Sequence, residues 1–436
     1  MKQNERTFSD AGYLAMGLVV GLLAGVAGGY FHRLIDWLAQ WPQWLSGQLA
    51  GWPLVLAGAI ITMLATVLTV WWVRRFAPEA SGSGVQEVEG AMEDLRTVHW
   101  YRVLPVKFIG GVLSISSGLV LGREGPTIHI GASVAAAVAR VCRVVAGDRK
   151  GLLAAGAGAG LACAFNAPVA AMLFVTEEMR RQFPFSFRNY SAVALACIMA
   201  TVVAQWVGGS APDLRILHVA GTVPLASLPA FVGVGVVLGG LGVCLNAMLL
   251  RNADFSAYCQ RRLPYGYPAV VGLVIGALLM SYPLAVTGGE SLVTQFGAMP
   301  PGVGMLLVLV LVRFFTTTAS YATGVPGGIF APILALGMCV GLAFGAVCQM
   351  LLPGASLDPV TLGIAAMGGL FAASVHAPTV GIVLIAELTG TYGLLLPLAM
   401  TCFVAQATAR WLGGRPIYEL LLERTLKASS AEVTRL

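Results

Sequence analysis

A glutamate and an arginine stand side by side in Gly122-Arg123-Glu124-Gly125-Pro126, within a chain composed mostly of apolar residues. An ionisable carboxylate inside a membrane is costly and by default marks a pathway or a binding site. The flanking glycines and the proline read as a helix start, where unpaired backbone N–H groups and the positive dipole end attract anions. A carboxylate placed there competes for the position a permeating anion would take. The plainer reading is an ion pair between Glu124 and Arg123 at a membrane surface. Adjacent helical residues point apart, however, and make that pair poorly.

Three further segments carry the same kind of chemistry. In Gly82-Ser83-Gly84-Val85-Gln86-Glu87, a small hydroxyl and glycine-exposed amides could face an anion. The plainer reading is a capped helix, with Ser83 as N-cap and Gln86 completing a capping box. In Gly324-Val325-Pro326-Gly327-Gly328-Ile329-Phe330-Ala331-Pro332, the glycines permit close approach, and the Ile329 and Phe330 amides would open a helix. Phe330 on its own reads as packing. The fourth segment, Gly413-Gly414-Arg415-Pro416-Ile417-Tyr418, carries a tyrosine that would ordinarily belong to an interfacial aromatic belt.

Other reactive residue types lead nowhere specific. Eight cysteines are scattered, without C-x-x-C or metal-ligand spacing, and read as packing thiols. An intramembrane hydrolase could draw on Ser83 or Ser133 with His99, His129 or His376, but none of these has a recognisable catalytic frame. Glu177 and Glu178, next to Arg180 and Arg181, read either as a salt-bridged cluster or as a proton route.

The elements that must position these residues are membrane helices. The chain is 57% hydrophobic and 11% charged, against about 25% charged in a soluble domain. An all-α polytopic membrane protein is expected. Candidate spans are 14–30, 52–73, 192–207, 228–250, 269–285 and 303–320, with a short outer turn near 41–51. Regions 108–178 and 327–410 are cut by glycine and proline into shorter pieces, tolerated in a membrane only inside protein or along a cavity. The first ten residues are polar and lack a signal-peptide pattern. Lys2 and Arg6 before the first span, and Arg74, Arg75, Arg96, Arg102 and Lys107 after the second, place these regions in the cytoplasm. Arg415, Arg424, Lys427 and Arg435 place the C-terminus there too. A net charge of +6 gives no sign of a nucleic-acid partner.

The chain also repeats itself. Gly160-Leu-Ala-Cys-Ala-Phe-Asn-Ala-Pro168 leads to Glu177, and Gly369-Leu-Phe-Ala-Ala-Ser-Val-His-Ala-Pro378 leads to Glu387 at the same spacing. Each copy has a Gly/Pro-framed break upstream, at 122–126 and 327–332. Matching interruptions in two halves point to a transport site near the bilayer midplane. The repeats span roughly 10–210 and 225–412.

Together, the 82–86, 122–126 and 328–332 blocks and Tyr418 in Gly-Arg-Pro-Ile-Tyr resemble the CLC family of chloride channels and transporters. Val103-Leu-Pro-Val-Lys107 and Phe174-Val-Thr-Glu-Glu-Met179 resemble the bacterial proton-coupled exchangers in particular. The resemblance runs to about residue 426, as one transmembrane domain with a short cytoplasmic tail at 427–436 and no CBS domains. It implies two inverted halves of broken, tilted helices and a homodimer with a pore in each subunit, in a bacterial inner membrane. It implies a central chloride held by the Ser83 and Tyr418 hydroxyls and the Ile329 and Phe330 amides. Glu124 would then be the external gate and Glu178 the internal proton-transfer residue, with Glu177 a weaker alternative. Chloride and protons would be the transported partners, lipid the surroundings, and no cofactor would be required. A passive chloride channel is the runner-up. One departure stands out: Gln86 occupies a position where the family commonly has proline. If Gln86 and Ser83 cap their own helix, the hydroxyl is less available to chloride.

Overall fold

The computed structural model describes residues 6–208, 223–352 and 357–433. Its first half begins with α1 (Asp10–Leu38), whose start is capped by the Ser9 hydroxyl accepting from Gly12 N, and the short α2 (Trp41–Ser46). Next come α3 (Trp52–Phe76), α4 (Val85–Met92) and α5 (Trp100–Ser116). The half closes with α6 (Glu124–Val141), α7 (Ala146–Phe165), α8 (Pro168–Glu177) and α9 (Phe187–Gly208). The second half runs through α10 (Leu228–Arg262), α11 (Gly266–Ser281), α12 (Glu290–Ala298) and α13 (Val303–Tyr321). It ends with α14 (Phe330–Leu351), α15 (Pro359–Val375), α16 (Pro378–Thr389) and α17 (Leu395–Trp411). A last helix, α18 (Ile417–Val433), continues without a break through residue 426.

Among the described residues, seven helical stretches are long and apolar enough to cross a membrane. Leu22, Leu64, Leu307 and Phe315 point outward from such helices, as a lipid solvent permits. Lys107, Glu124 and Arg313 are wholly buried.

The two halves are built alike. α1 packs on α9 as α10 packs on α17, and α6 on α7 as α14 on α15. α7 and α15 both end in a left-handed residue, Asn166 and His376, just before Ala-Pro. At the centre, Gly122 and Gly328 form an antiparallel bridge, exchanging N–H···O bonds of 2.8 and 2.7 Å. Equivalent residues paired antiparallel are what a two-fold relation between halves produces. The same symmetry recurs in a pair of crossed caps. The Glu177 carboxylate accepts from Thr379 N and Val380 N at the start of α16 (3.1 and 2.7 Å). The Glu387 carboxylate accepts from Val169 N and Ala170 N at the start of α8 (3.3 and 2.8 Å).

Several expectations need correction. The segment near 41–51, expected to be a turn, contains α2. The 269–285 span divides, because α11 stops at Ser281 and a single 3-10 turn holds Pro283–Ala285. Region 327–410 is not made only of short pieces: α14, with 22 residues, is long and apolar enough to span. The Gly327-Gly328 and Ala331-Pro332 breaks frame its start and leave its interior intact. Lys107 is not a loop charge, since it lies inside α5 with no exposed surface.

Candidate anion and proton site

The centre is built where three loops meet. The 81–84 and 324–327 loops are tied by Gly82 N to Val325 O and Gly327 N to Gly82 O, both 3.1 Å. Ser81 Oγ donates to Gly324 O at 2.9 Å. The Gly122–Gly328 bridge adds the third loop. From behind, Lys107 Nζ donates to Ala80 O and Gly82 O at 3.0 and 2.6 Å. That cation is used up in shaping the Ser83 loop.

α4 starts at Val85 with Gly84 as its N-cap, in a left-handed conformation (φ 92°). A Cβ at Gly84 would collide with the His129 ring, so both backbone and space require glycine there. The plainer reading of this segment, a capping box between Ser83 and Gln86, therefore does not hold, and α4 has no side-chain cap. Ser83 is wholly buried, and its hydroxyl has no hydrogen-bond partner. Tyr418, at the start of α18, is likewise buried with an unpartnered hydroxyl. Its ring stacks on Phe330 at 5.9 Å and 28°, and Phe371 packs against Phe330 at 5.0 Å. Phe330 and its N-cap Ile329 are fully buried at the N-terminus of α14, which has no side-chain cap. Two free hydroxyls and an uncapped helix start thus share one dry site, the partial charges that hold an anion without trapping it.

Glu124 opens α6 and is wholly buried. Its carboxylate lies over Gly122 beside the Ala331 amide, and a Cβ at Gly122 would collide with Oε2. A Cβ at Gly125 would collide with the Ser83 hydroxyl. The Gly-Arg-Glu-Gly-Pro frame is therefore steric: its glycines let the carboxylate and the hydroxyl approach the same backbone. Neither oxygen of Glu124 has a hydrogen-bond partner. Arg123 turns away from it, toward Asp36 and Glu290, at 3.7 Å from each.

Two cavities reach inward from the basic ends of the helices. One, of about 690 Å³, is lined by Gly82, Gln86, Tyr321 and the arginines Arg74, Arg96 and Arg424. Arg96 pairs with Glu87 at 2.9 Å. The other, of about 450 Å³, is lined by Glu177 and Glu178 together with Glu89, Glu93, His376, Arg410 and Glu419. Arg181 pairs with Glu419 at 3.0 Å, not with Glu178. At the rim, hydrogen bonds from Arg415 hold the Glu423 carboxyl below its usual range. Glu177, by contrast, is committed to capping α16. The neighbouring acids thus do different things.

Sequence reasoning missed Tyr321, a second phenol packed against Gly82, and the shaping role of Lys107. It also missed Arg313, which donates to the carbonyls of Leu284, Val286, Thr287 and Gly288 (2.9–3.2 Å) and fixes the loop before Glu290. A charged residue amid apolar helix was the available signal for Lys107 and Arg313. The hydrolase alternative finds no geometry: Ser133 Oγ donates to the backbone of His129 at 2.8 Å.

Broken helices from two inverted halves, meeting at unpartnered hydroxyls and a buried carboxylate, define a membrane transport protein. Residues 65–410 match the family described as voltage gated chloride channel, and the chain belongs to that family, the CLC proteins. It is 42% identical over 426 residues to the H(+)/Cl(-) exchange transporter ClcA of Vibrio parahaemolyticus, covering 95% of this chain and 90% of the relative. It is 40% identical to the ClcA of Yersinia pestis, covering 97% and 89%. A solved slow cyanobacterial Cl−/H+ antiporter superposes with TM-score 0.91 at 35% identity, over 97% of this chain and 99% of that one. A CLC-type fluoride/proton antiporter shares the fold, with TM-score 0.77 at 20% identity over 93% and 98%.

Proposed function

We propose that this chain exchanges chloride for protons across a membrane, with Glu124 as the group through which both ions pass. The observation that carries this reading is the wholly buried, unpartnered Glu124 carboxylate, seated on the same Gly122–Gly125 backbone as the free Ser83 hydroxyl. Ser83, Tyr418 and the Ile329 and Phe330 amides hold the central chloride. Ionised, Glu124 occupies the neighbouring anion position; a chloride nearby disfavours that ionised form. Proton uptake and chloride entry therefore favour one another, and that mutual preference is the coupling.

Glu178 carries the proton on the inner side. Glu177 and Glu178 both border the inner cavity, but the Glu177 carboxylate is taken up by the two amides at the start of α16. An inner acid open to a cavity supports exchange over passive conduction, which needs none. The basic ends at Arg74, Arg75 and Arg424 support a cytoplasmic location for that side, in a bacterial inner membrane. Two chains form a homodimer with a pathway in each. Exposed apolar residues on α9 and α17, such as Ile198, Val202 and Phe403, provide a surface for that pairing.

The test is reconstitution of the chain alone in sealed liposomes. A chloride gradient is expected to drive protons against their own gradient. Chloride flux without uphill proton movement would make the chain a passive channel.

A further inference from the structure

A further pocket, of about 690 Å³, is walled by the loop before α5, the end of α6 and the start of α7. Neither Ser83, Glu124, Tyr418 nor Glu178 lines it. Its volume falls within the range of small-molecule sites, about 300–1,000 Å³. Four cationic side chains border it, Arg96, Arg140, Arg149 and Lys150, against one carboxylate, Asp94. Lys150 Nζ pairs with Asp94 at 2.6 Å, and Arg96 with Glu87 at 2.9 Å. Arg149 Nε donates to the Val144 carbonyl at 2.7 Å, which holds that side chain against the turn between α6 and α7. Arg140, in the last turn of α6, is exposed. Ala146, the first residue of α7, also borders the pocket, and that helix start has no side-chain cap. Its first amides and positive dipole end add to the attraction for an anion.

The rim is apolar. Trp100 and Tyr101, in the first turn of α5, line the pocket, and such aromatic residues sit at headgroup level in a membrane. From Tyr101 an exposed stripe runs up α5 through Pro105 and Ile109, because residues four apart share one helix face. Val141, next to Arg140 at the end of α6, is exposed as well. A cationic pocket that continues into an exposed apolar stripe matches a molecule with an anionic head and an acyl tail. A free phosphate ion would fill the pocket and leave the stripe without a role.

We propose that this pocket binds the phosphate headgroup of an anionic phospholipid, whose acyl chain lies along Tyr101, Pro105 and Ile109 of α5. Arg140, Arg149 and Lys150 supply the charge, and Trp100 and Tyr101 hold the glycerol region at the interface. The same helix carries Lys107, which shapes the Ser83 loop. The lipid is therefore seated on an element of the transport site.

Trp100 provides the readout, because bromines on an acyl chain quench nearby tryptophan fluorescence. The full chain would be placed in phosphatidylcholine bilayers doped with brominated phosphatidylglycerol or with brominated phosphatidylcholine. The Trp100 share of the quenching is the difference between wild type and Trp100→Phe. It should reach half its maximum at a lower mole fraction of the anionic lipid than of the neutral one. A basic residue near an anionic membrane surface contributes roughly fivefold in affinity, so Arg140→Gln and Lys150→Gln should each raise that mole fraction by about this factor. Arg140→Lys should restore most of the loss. Arg75→Gln, which removes an exposed cation outside the pocket, should leave the half-point unchanged. Equal half-points for the two lipids in wild type would overturn the proposal. So would an Arg75→Gln effect as large as that of Arg140→Gln, which would mark general surface charge. Displacement of the brominated lipid by millimolar inorganic phosphate or glycerol 3-phosphate would also overturn it, since the pocket would then be a site for soluble phosphate.

Discussion

At the scale of single residues, the free hydroxyls matter most. Because α4 is capped by Gly84, Ser83 has no competing helix bond. Tyr418→Ala removes one hydroxyl and the ring stacked on Phe330. We expect it to weaken chloride binding at the central site and to loosen coupling, measured as more chloride moved per proton; unchanged affinity with tight coupling would contradict its role. Gln86, buried with an unpartnered Oε1, sits second in α4, a first-turn position that proline suits. Gln86→Pro removes one backbone donor and a polar side chain near Gly82. Chloride-against-nitrate competition should shift by about 1 kcal/mol, the net worth of one hydrogen bond, with the protein still folded. Superimposable competition curves would make Gln86 a bystander. Glu178→Gln should abolish proton movement and leave a chloride leak, read from paired chloride and pH electrodes. Proton coupling that survives in Glu178→Gln but fails in Glu177→Gln would move the role to the neighbour.

At the scale of elements, the crossed caps join α8 and α16. Glu177→Ala leaves two amides at the start of α16 unpaired, and Glu387→Ala does the same at α8. Each should cost about 0.5–2 kcal/mol, the range for loss of an N-cap, seen as a lowered thermal midpoint in detergent. Chloride-driven proton movement should persist in both. Much at this scale was legible beforehand. The Gly/Pro frames at 122–126 and 327–332 do open α6 and α14, and the repeat from Pro168 to Glu177 and Pro378 to Glu387 is a matched pair of short helices. What failed were inferences from local chemistry that tertiary contacts override. The Ser83–Gln86 pattern fits a capping box, yet the left-handed turn at Gly84, enforced by the His129 ring, moves the helix start past Ser83. Lys107 counted as a loop charge because nothing local shows that Ala80 and Gly82 carbonyls await it.

At the scale of the whole molecule, the antiparallel Gly122–Gly328 bridge and the crossed caps express one two-fold relation. Residue pairings across it could not be read from a weak repeat, because the contacts lie between halves distant in sequence. The same arrangement brings Glu124 from the first half against the Ala331 amide of the second. The central claim is that this carboxylate joins chloride movement to proton movement. It is tested most directly by following both ions in the same liposomes for wild type and Glu124→Gln under an imposed chloride gradient. Wild type should drive protons uphill, and the Glu124→Gln protein should pass chloride with no proton movement. Chloride-driven proton pumping by Glu124→Gln at the wild-type rate would contradict it.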